Sequence, residues 1–240
     1  NKDNINAIKS QKKLTYYLKE DPSLSLFVKS EVYKIERKYE KLLSVYEIMI
    51  KSKKTEVLGY RGLMEQYLRD QDYHHAFLYG EKLFNLNPNI EKLYDTLTYI
   101  TAKTKNWNQL IFISDKAYSK NVISRENFYE NKSIGHYEIA KIKYESDLNG
   151  ATKNILKALD LKKNFPPFIK LHLQLLAKSK NLSLLKKMIK KYWSLNQTFL
   201  LRSIITNIII ENKLGNFEFI NKIVKYNINN EESKKLLIYF

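Results

Sequence analysis

The sequence predicts an all-α fold, a solenoid of antiparallel helix pairs stacked into a right-handed superhelix. Three observations carry this. Tyr39, Tyr73 and Trp107 recur at a 34-residue step (73 − 39 = 34; 107 − 73 = 34). The same shift places Tyr33 on Tyr67, Tyr60 on Tyr94, Leu63 on Leu97, and Leu42 on Ala76 and then Leu110. Turn signals punctuate the chain in step with them: RKY, QDY, KNW, DLNG, KNL and LGN. Finally, 44% hydrophobic residues with only four prolines and six glycines suit a chain that is ordered and helical.

The elements follow in order. Ile5 occupies the turn position of Tyr39, so residues 3–20 read as the second helix of a partial repeat, 1–22. Two-helix repeats are expected at about 23–56, 57–90 and 91–123. The one starting at Val57 is the clearest, with Tyr60, Leu63, Tyr67, Ala76 and a closing Pro88. After Trp107 the next turn position is Leu148, 41 residues on (148 − 107 = 41). The excess over 34 is two helical turns. It should lengthen the helix that Ser124 caps, which would run to about Ser146 in a repeat spanning 124–165. The 34-residue step resumes from Leu148 to Leu182 and Asn216, giving repeats 166–197 and 198–229 and a partial 230–240, all within one repeat domain.

A period of 34 with aromatic and small residues at fixed offsets is the signature of tetratricopeptide repeats. One helical pair cannot bury its apolar face alone, so Leu63, Tyr67, Ala76 and Leu83 should pack within the pair and against its neighbours. Trp107 is expected in the core. Gly59 and Gly62 sit one turn apart in EVLGYRGLMEQYLR, and each costs roughly 1 kcal/mol relative to Ala. They are expected to permit a close crossing with the preceding pair, with Arg61 between them facing a groove.

Composition narrows the function. The absence of cysteine removes disulfides, thiolate zinc sites, a Cys nucleophile and CxxCH haem attachment. The net charge of +17 is almost all lysine, since arginine occurs only at 37, 61, 69, 125 and 202. Arginine is the usual reader of bases and bidentate phosphate ligand, so the charge points less to nucleic acid than its size implies. An anionic membrane surface suits dispersed lysines equally well. The most apolar run, Ile204 to Ile210, is far short of a membrane span. Because the chain begins at Asn1 and ends within an apparent helix, an upstream anchor is compatible with it.

Candidate chemistry is sparse. His74 and His75 lie about 100° apart on a helix start and cannot easily share a metal. His172, in IKLHLQLL, reads as a packing residue whose polar atoms are satisfied. No phosphate loop, GxSxG, HExxH or isolated carboxylate pair occurs, so no catalytic residue, cofactor or metal ligand is expected. The lysine-rich run from Lys178 to Lys191 reads as an amphipathic helix with a solvated face. Binding capacity comes from the array, whose first helices would line a concave groove. Its candidate contacts are Arg61, Glu65, Arg69, Lys92, Asp95, Tyr99, Lys103, Lys170, Gln174 and Lys178, a polar, basic-leaning surface suited to a protein segment. Glu31 and Glu65 stand where a chaperone-tail carboxylate clamp needs Asn, which disfavours that partner.

The stretch EVLGYRGLMEQYLRDQDYHHAFLYGEKLFNLNPN resembles HemY-type haem-biosynthesis proteins, where a (V/L)LGLRGL helix precedes a second helix ending in an L-x-P turn. The likeness continues through KNWNQLIFISDKAYSKNVIS, the lengthened pair, ALDLKKNFPPF, the Trp193 region and NNEESKKLLIYF. Lys163 departs from an expected proline, and Asn196-Gln197 from an expected His-Pro. The resemblance implies a bacterial inner-membrane protein with an N-terminal anchor and its repeat domain on the cytoplasmic face. It also implies a non-catalytic scaffold for late protohaem synthesis, with enzymes of that pathway as protein partners. A generic repeat adaptor, or a basic array binding RNA or anionic membrane, is the alternative.

Overall fold

A computed structural model describes Lys9, Lys13 and residues 21–240, apart from the Tyr226 side chain. Apart from Lys9 and Lys13, the helix expected over 3–20 therefore lies outside the described residues. Among those described, all regular structure is helical. The helices succeed one another as α1 (Pro22–Ile35) and α2 (Tyr39–Met49), α3 (Glu56–Arg69) and α4 (Tyr73–Leu86), then α5 (Leu93–Lys103) and α6 (Trp107–Ser119). They continue as α7 (Arg125–Lys143) and α8 (Leu148–Leu161), α9 (Pro166–Lys178) and α10 (Leu182–Leu195), then α11 (Phe199–Glu211) and α12 (Phe217–Val224). A 3₁₀ turn, Lys225–Asn227, and α13 (Glu231–Tyr239) close the chain. The fold is an α-solenoid of tetratricopeptide-like helix pairs. It clusters into two compact units, the first of residues 1–109 and 116–122, the second of 110–115 and 123–240.

The turns inside the pairs explain the repeated tripeptides. Gln71 adopts a left-handed conformation (φ 61°), as do Arg37, Lys105 and Lys180 at the corresponding places. The Asp72 N–H then donates to the Tyr67 carbonyl at 2.9 Å, closing α3 with the six-residue ring of a Schellman motif. The Asp72 side chain meanwhile accepts from the His75 N–H at 3.1 Å and caps α4. Asn106 repeats this, bonding Thr101 behind and Gln109 ahead, and so does Asn181 with Leu176 and Leu184. One residue thus ends one helix and starts the next.

Burial follows the repeat. Leu42, Ala76, Leu110, Ala151, Leu185 and Phe219 share one position of the frame, and none is more than 5% exposed. In the first unit Leu42, Val45, Tyr46, Met49 and Leu63 form a buried cluster with Tyr67 and Tyr79 against it. In the second, Ile155, Phe168, Leu185, Trp193, Ile205 and Leu236 belong to one continuous core. α7 is the longest helix among the described residues at 19 residues, and the Ser124 side chain accepts from the Asn127 N–H at its start. The seven additional residues expected there are therefore helical. α12 is short, 8 residues, because an Asn-rich stretch follows it and Asn230 caps the next helix.

The glycines work as expected. A Cβ on Gly59 would meet the Ile50 backbone nitrogen at 2.9 Å and Met49 Cβ at 3.0 Å, and one on Gly62 would strike the Tyr46 ring. Both positions face the preceding pair. Trp107 is a correction: it is half-buried, not core. As the first residue of α6, it has no preceding turn to cover its outer edge. The wholly buried tryptophan is Trp193, whose indole N–H donates to Ser233 Oγ at 3.2 Å. No helix among the described residues is long and apolar enough to cross a membrane.

Candidate functional site

The first helix of each pair presents a polar face beside its apolar one, and clefts open between successive first helices. In the first unit, a cleft between α1 and α3 is lined by Glu31, Lys34, Leu58, Arg61 and Glu65, with Tyr46 beneath. The charges are fixed locally. Lys34 Nζ donates to Glu31 at 2.7 Å and Arg61 Nε to Glu65 at 2.8 Å, each within one helical turn. Tyr46 is 3% exposed, and burial raises its phenol above the usual range although the Lys34 ammonium pulls the other way. A neighbouring cleft between α3 and α5 shares Arg61 and Glu65 and adds Leu68, Glu91, Lys92 and Thr96.

In the second unit the corresponding cleft runs across α7, α9 and α11. Lys170, Gln174, Tyr137, Leu200, Asn207 and Glu211 are among its lining residues, and its volume is about 440 Å³. Tyr137 is held by Phe168, with ring centroids 5.0 Å apart, and Lys141 lies over its face at 5.3 Å.

The structure therefore brings Arg61, Glu65 and Lys92 together in the first unit, and Lys170 with Gln174 in the second. It places the other candidates elsewhere. Arg69 stacks over Tyr39 at 5.3 Å, at the turn end of α3. Tyr99 packs edge-on against Tyr73 with Lys103 over its ring at 5.4 Å, and Asp95 is exposed on the same helix. Lys178 pairs with Glu145 and lies over Tyr144. The basic lean of the sequence positions comes from Arg69, Lys103 and Lys178. Within the clefts the signs balance: Lys34 and Arg61 against Glu31 and Glu65, and Lys170 against Glu211.

Leu200, Asn207 and Glu211 escaped the sequence reading, although their spacing of 7 and 4 (207 − 200; 211 − 207) puts them on one face of α11. The 34-residue shift from Lys170 and Gln174 reaches Ile204 and Ile208 of the same cleft (170 + 34 = 204; 174 + 34 = 208), and the helical face beside them carries these three. Tyr46 could not be found so, because it rises from a second helix.

The histidines behave as structural residues. His75 Nδ1 bonds Asp72 Oδ2 at 2.7 Å and its ring stacks on Tyr67 at 5.0 Å. The bonds from the His75 backbone and ring hold the Asp72 carboxyl below its usual value. His136 Nδ1 meets Asn154 Oδ1 at 3.1 Å, and burial lowers its pKa. His172 Nδ1 lies 2.6 Å from Tyr192 Oη in the core. No cluster of three or more His or carboxylate side chains able to hold a metal occurs among the described residues.

No family model matches the chain, and no curated protein does. Among solved structures, a tetratricopeptide repeat protein from Parabacteroides merdae ATCC 43184 is 14% identical, with a TM-score of 0.39 over 98% of this chain and 93% of its own. PilW, described as a type IV pilus biogenesis factor, is 14% identical at a TM-score of 0.35, covering 90% of this chain and 99% of its own. The RpL4 assembly chaperone Acl4 is 11% identical at 0.34, covering 97% and 94%. At these scores the chains superpose loosely, and the solenoid assignment rests on the helix pairs themselves.

Proposed function

We propose that the protein is a non-catalytic repeat scaffold that holds extended polypeptide segments in the clefts between its first helices. The observation that carries this is the cleft around Arg61 and Glu65, where an apolar floor is framed by charges of both signs. Such a lining matches a peptide's alternating apolar and polar groups better than a small ligand or a phosphate chain. A photo-crosslinking amino acid at Glu65 or Gln174 should capture protein, whereas one at the outward Lys82 should not. Equal capture from both faces would refute the groove.

The finer reading is that the scaffold serves late protohaem synthesis at a bacterial inner membrane, tethered by an upstream anchor with its repeats on the cytoplasmic side. Its support is the resemblance carried by GYRGL and the lengthened α7. Purification of the full-length protein from membranes should bring ferrochelatase or protoporphyrinogen oxidase with it. Capture of other proteins at Glu65 without either enzyme would sink the haem reading and leave the scaffold.

A further inference from the structure

The second helices of the second unit carry a feature that the clefts do not use. α10 contains Lys186, Lys187, Lys190 and Lys191 and no carboxylate at all. Its apolar side, Leu185, Ile189, Tyr192 and Trp193, is buried, so the lysines occupy the opposite arc together with Ser183 and Ser194. Lys186 and Lys190 lie over the Phe219 ring at 5.5 and 5.7 Å.

The pattern repeats along the solenoid. Lys157, Lys191 and Lys225 share one position of the frame (157 + 34 = 191; 191 + 34 = 225), and Lys153 and Lys187 share another (153 + 34 = 187). All five are exposed. None of these lysines makes an ion pair among the described residues, whereas lysines on the first helices, such as Lys132 and Lys178, do. The opposing charges on the same helices are Asp160 and Glu218, and Glu218 is already engaged by Lys222. The repeat places these lysines at equivalent positions of successive second helices, a lysine-bearing face and not a groove.

Exposed apolar side chains interrupt the array, Leu156 and Phe217 among them. Leu156 stands at the position of Lys190 (156 + 34 = 190) and is 44% exposed. Phe217 stands at the position of Ser183 (183 + 34 = 217) and is 68% exposed. No arginine lies on α8, α10 or α12.

We infer that this lysine face docks on the surface of a bilayer containing anionic lipid. Lysine supplies long-range attraction to a negatively charged plane without the bidentate geometry that nucleic acid favours. Leu156 and Phe217 provide the shallow apolar insertions that an interfacial contact uses. Single-stranded nucleic acid binds instead in basic grooves with several stacking aromatics, and among the described side chains this face offers Phe217 alone. The inference is independent of what occupies the clefts, since those open between the first helices.

The test is co-sedimentation of the 240-residue chain with vesicles of phosphatidylcholine alone or mixed with phosphatidylglycerol. Binding is expected only to the mixed vesicles and should weaken with added salt. Replacing Lys157, Lys187 and Lys191 together by Gln should reduce partitioning by about fivefold per lysine. The charge-matched triple Lys51→Gln, Lys53→Gln, Lys54→Gln should leave it largely intact. Phe217→Ser should remove the fraction that persists at high salt. Equal binding to neutral vesicles, or equal loss in the control triple, would overturn the inference. So would a single-stranded RNA oligonucleotide that binds through Lys157, Lys187 and Lys191 while mixed vesicles do not.

Discussion

Burial of His172 should make the second unit acid-sensitive, by an amount the structure sets. The imidazole is 4% exposed and faces the Tyr192 hydroxyl at 2.6 Å. Burial, aided by the Lys191 ammonium, lowers its pKa from 6.5 to about 4, and burial alone raises Tyr192 to about 12. The folded state therefore holds His172 neutral across a range where the unfolded chain binds a proton. The stability it contributes is complete above pH 6.5 and is lost as pH falls towards 4. At 1.36 kcal/mol per pH unit, the shift corresponds to about 3 kcal/mol. The carboxylates of Asp72 and Asp147, whose pKa values are lowered by their capping bonds, also lose stability in acid, so the measurement must be a difference. Urea unfolding of the wild type and of His172→Gln, which can keep a bond to Tyr192 but cannot titrate, should be followed from pH 7.5 to pH 4. The wild type should lose about 3 kcal/mol more than the variant over that interval. A difference that stays flat would refute the assignment of a neutral, buried imidazole.

Other outcomes follow from the packing. Trp193→Ala should cost about 3–5 kcal/mol in urea unfolding, and Trp107→Ala less than half of that, because its indole is only half covered. Gly59→Ala should destabilise despite the gain of roughly 1 kcal/mol in helix propensity, since the new methyl meets the backbone at Ile50; a rise in stability would show that the crossing can open. Gln71→Gly should raise the unfolding free energy by about 1 kcal/mol by relieving a left-handed non-glycine residue, and a loss would mean that the Gln71 side chain contributes more than its backbone costs.

The helix pairs were legible in the sequence because the repeat imposes its pattern on both backbone and burial. The tripeptides RKY, QDY, KNW and KNL mark left-handed turn residues, and the column from Leu42 to Phe219 marks the core. Trp107 misled because the aromatic that best reveals the period lies at a helix start, where conservation of spacing reflects the turn and not depth. The clefts were only partly legible. Arg61, Glu65, Lys170 and Gln174 follow from helix periodicity, but Tyr46 reaches its cleft because Gly62 leaves room for the ring. That is a contact between two helices, which no single-helix pattern encodes. The lysine face became visible only when the structure showed Lys153, Lys157, Lys187 and Lys191 exposed on α8 and α10 with no ion pair among the described residues.

The shared cap residues have a consequence for how such a chain can change length. Asp72, Asn106 and Asn181 each close one helix through the backbone and open the next through the side chain. At the α11–α12 turn the two duties fall on separate residues: the Leu214 N–H closes α11 on the Ile209 carbonyl at 2.9 Å, and the Asn216 side chain caps α12 by accepting from the Phe219 N–H at 2.8 Å. Growth inside a helix keeps the apolar stripe on the same side only in whole turns. The 41-residue step is of this kind: it lies within α7 and measures two turns more than the usual one. The array thus departs from strict repetition at two places, inside α7 and at the α11–α12 turn, and every helix start at these places keeps a side-chain cap.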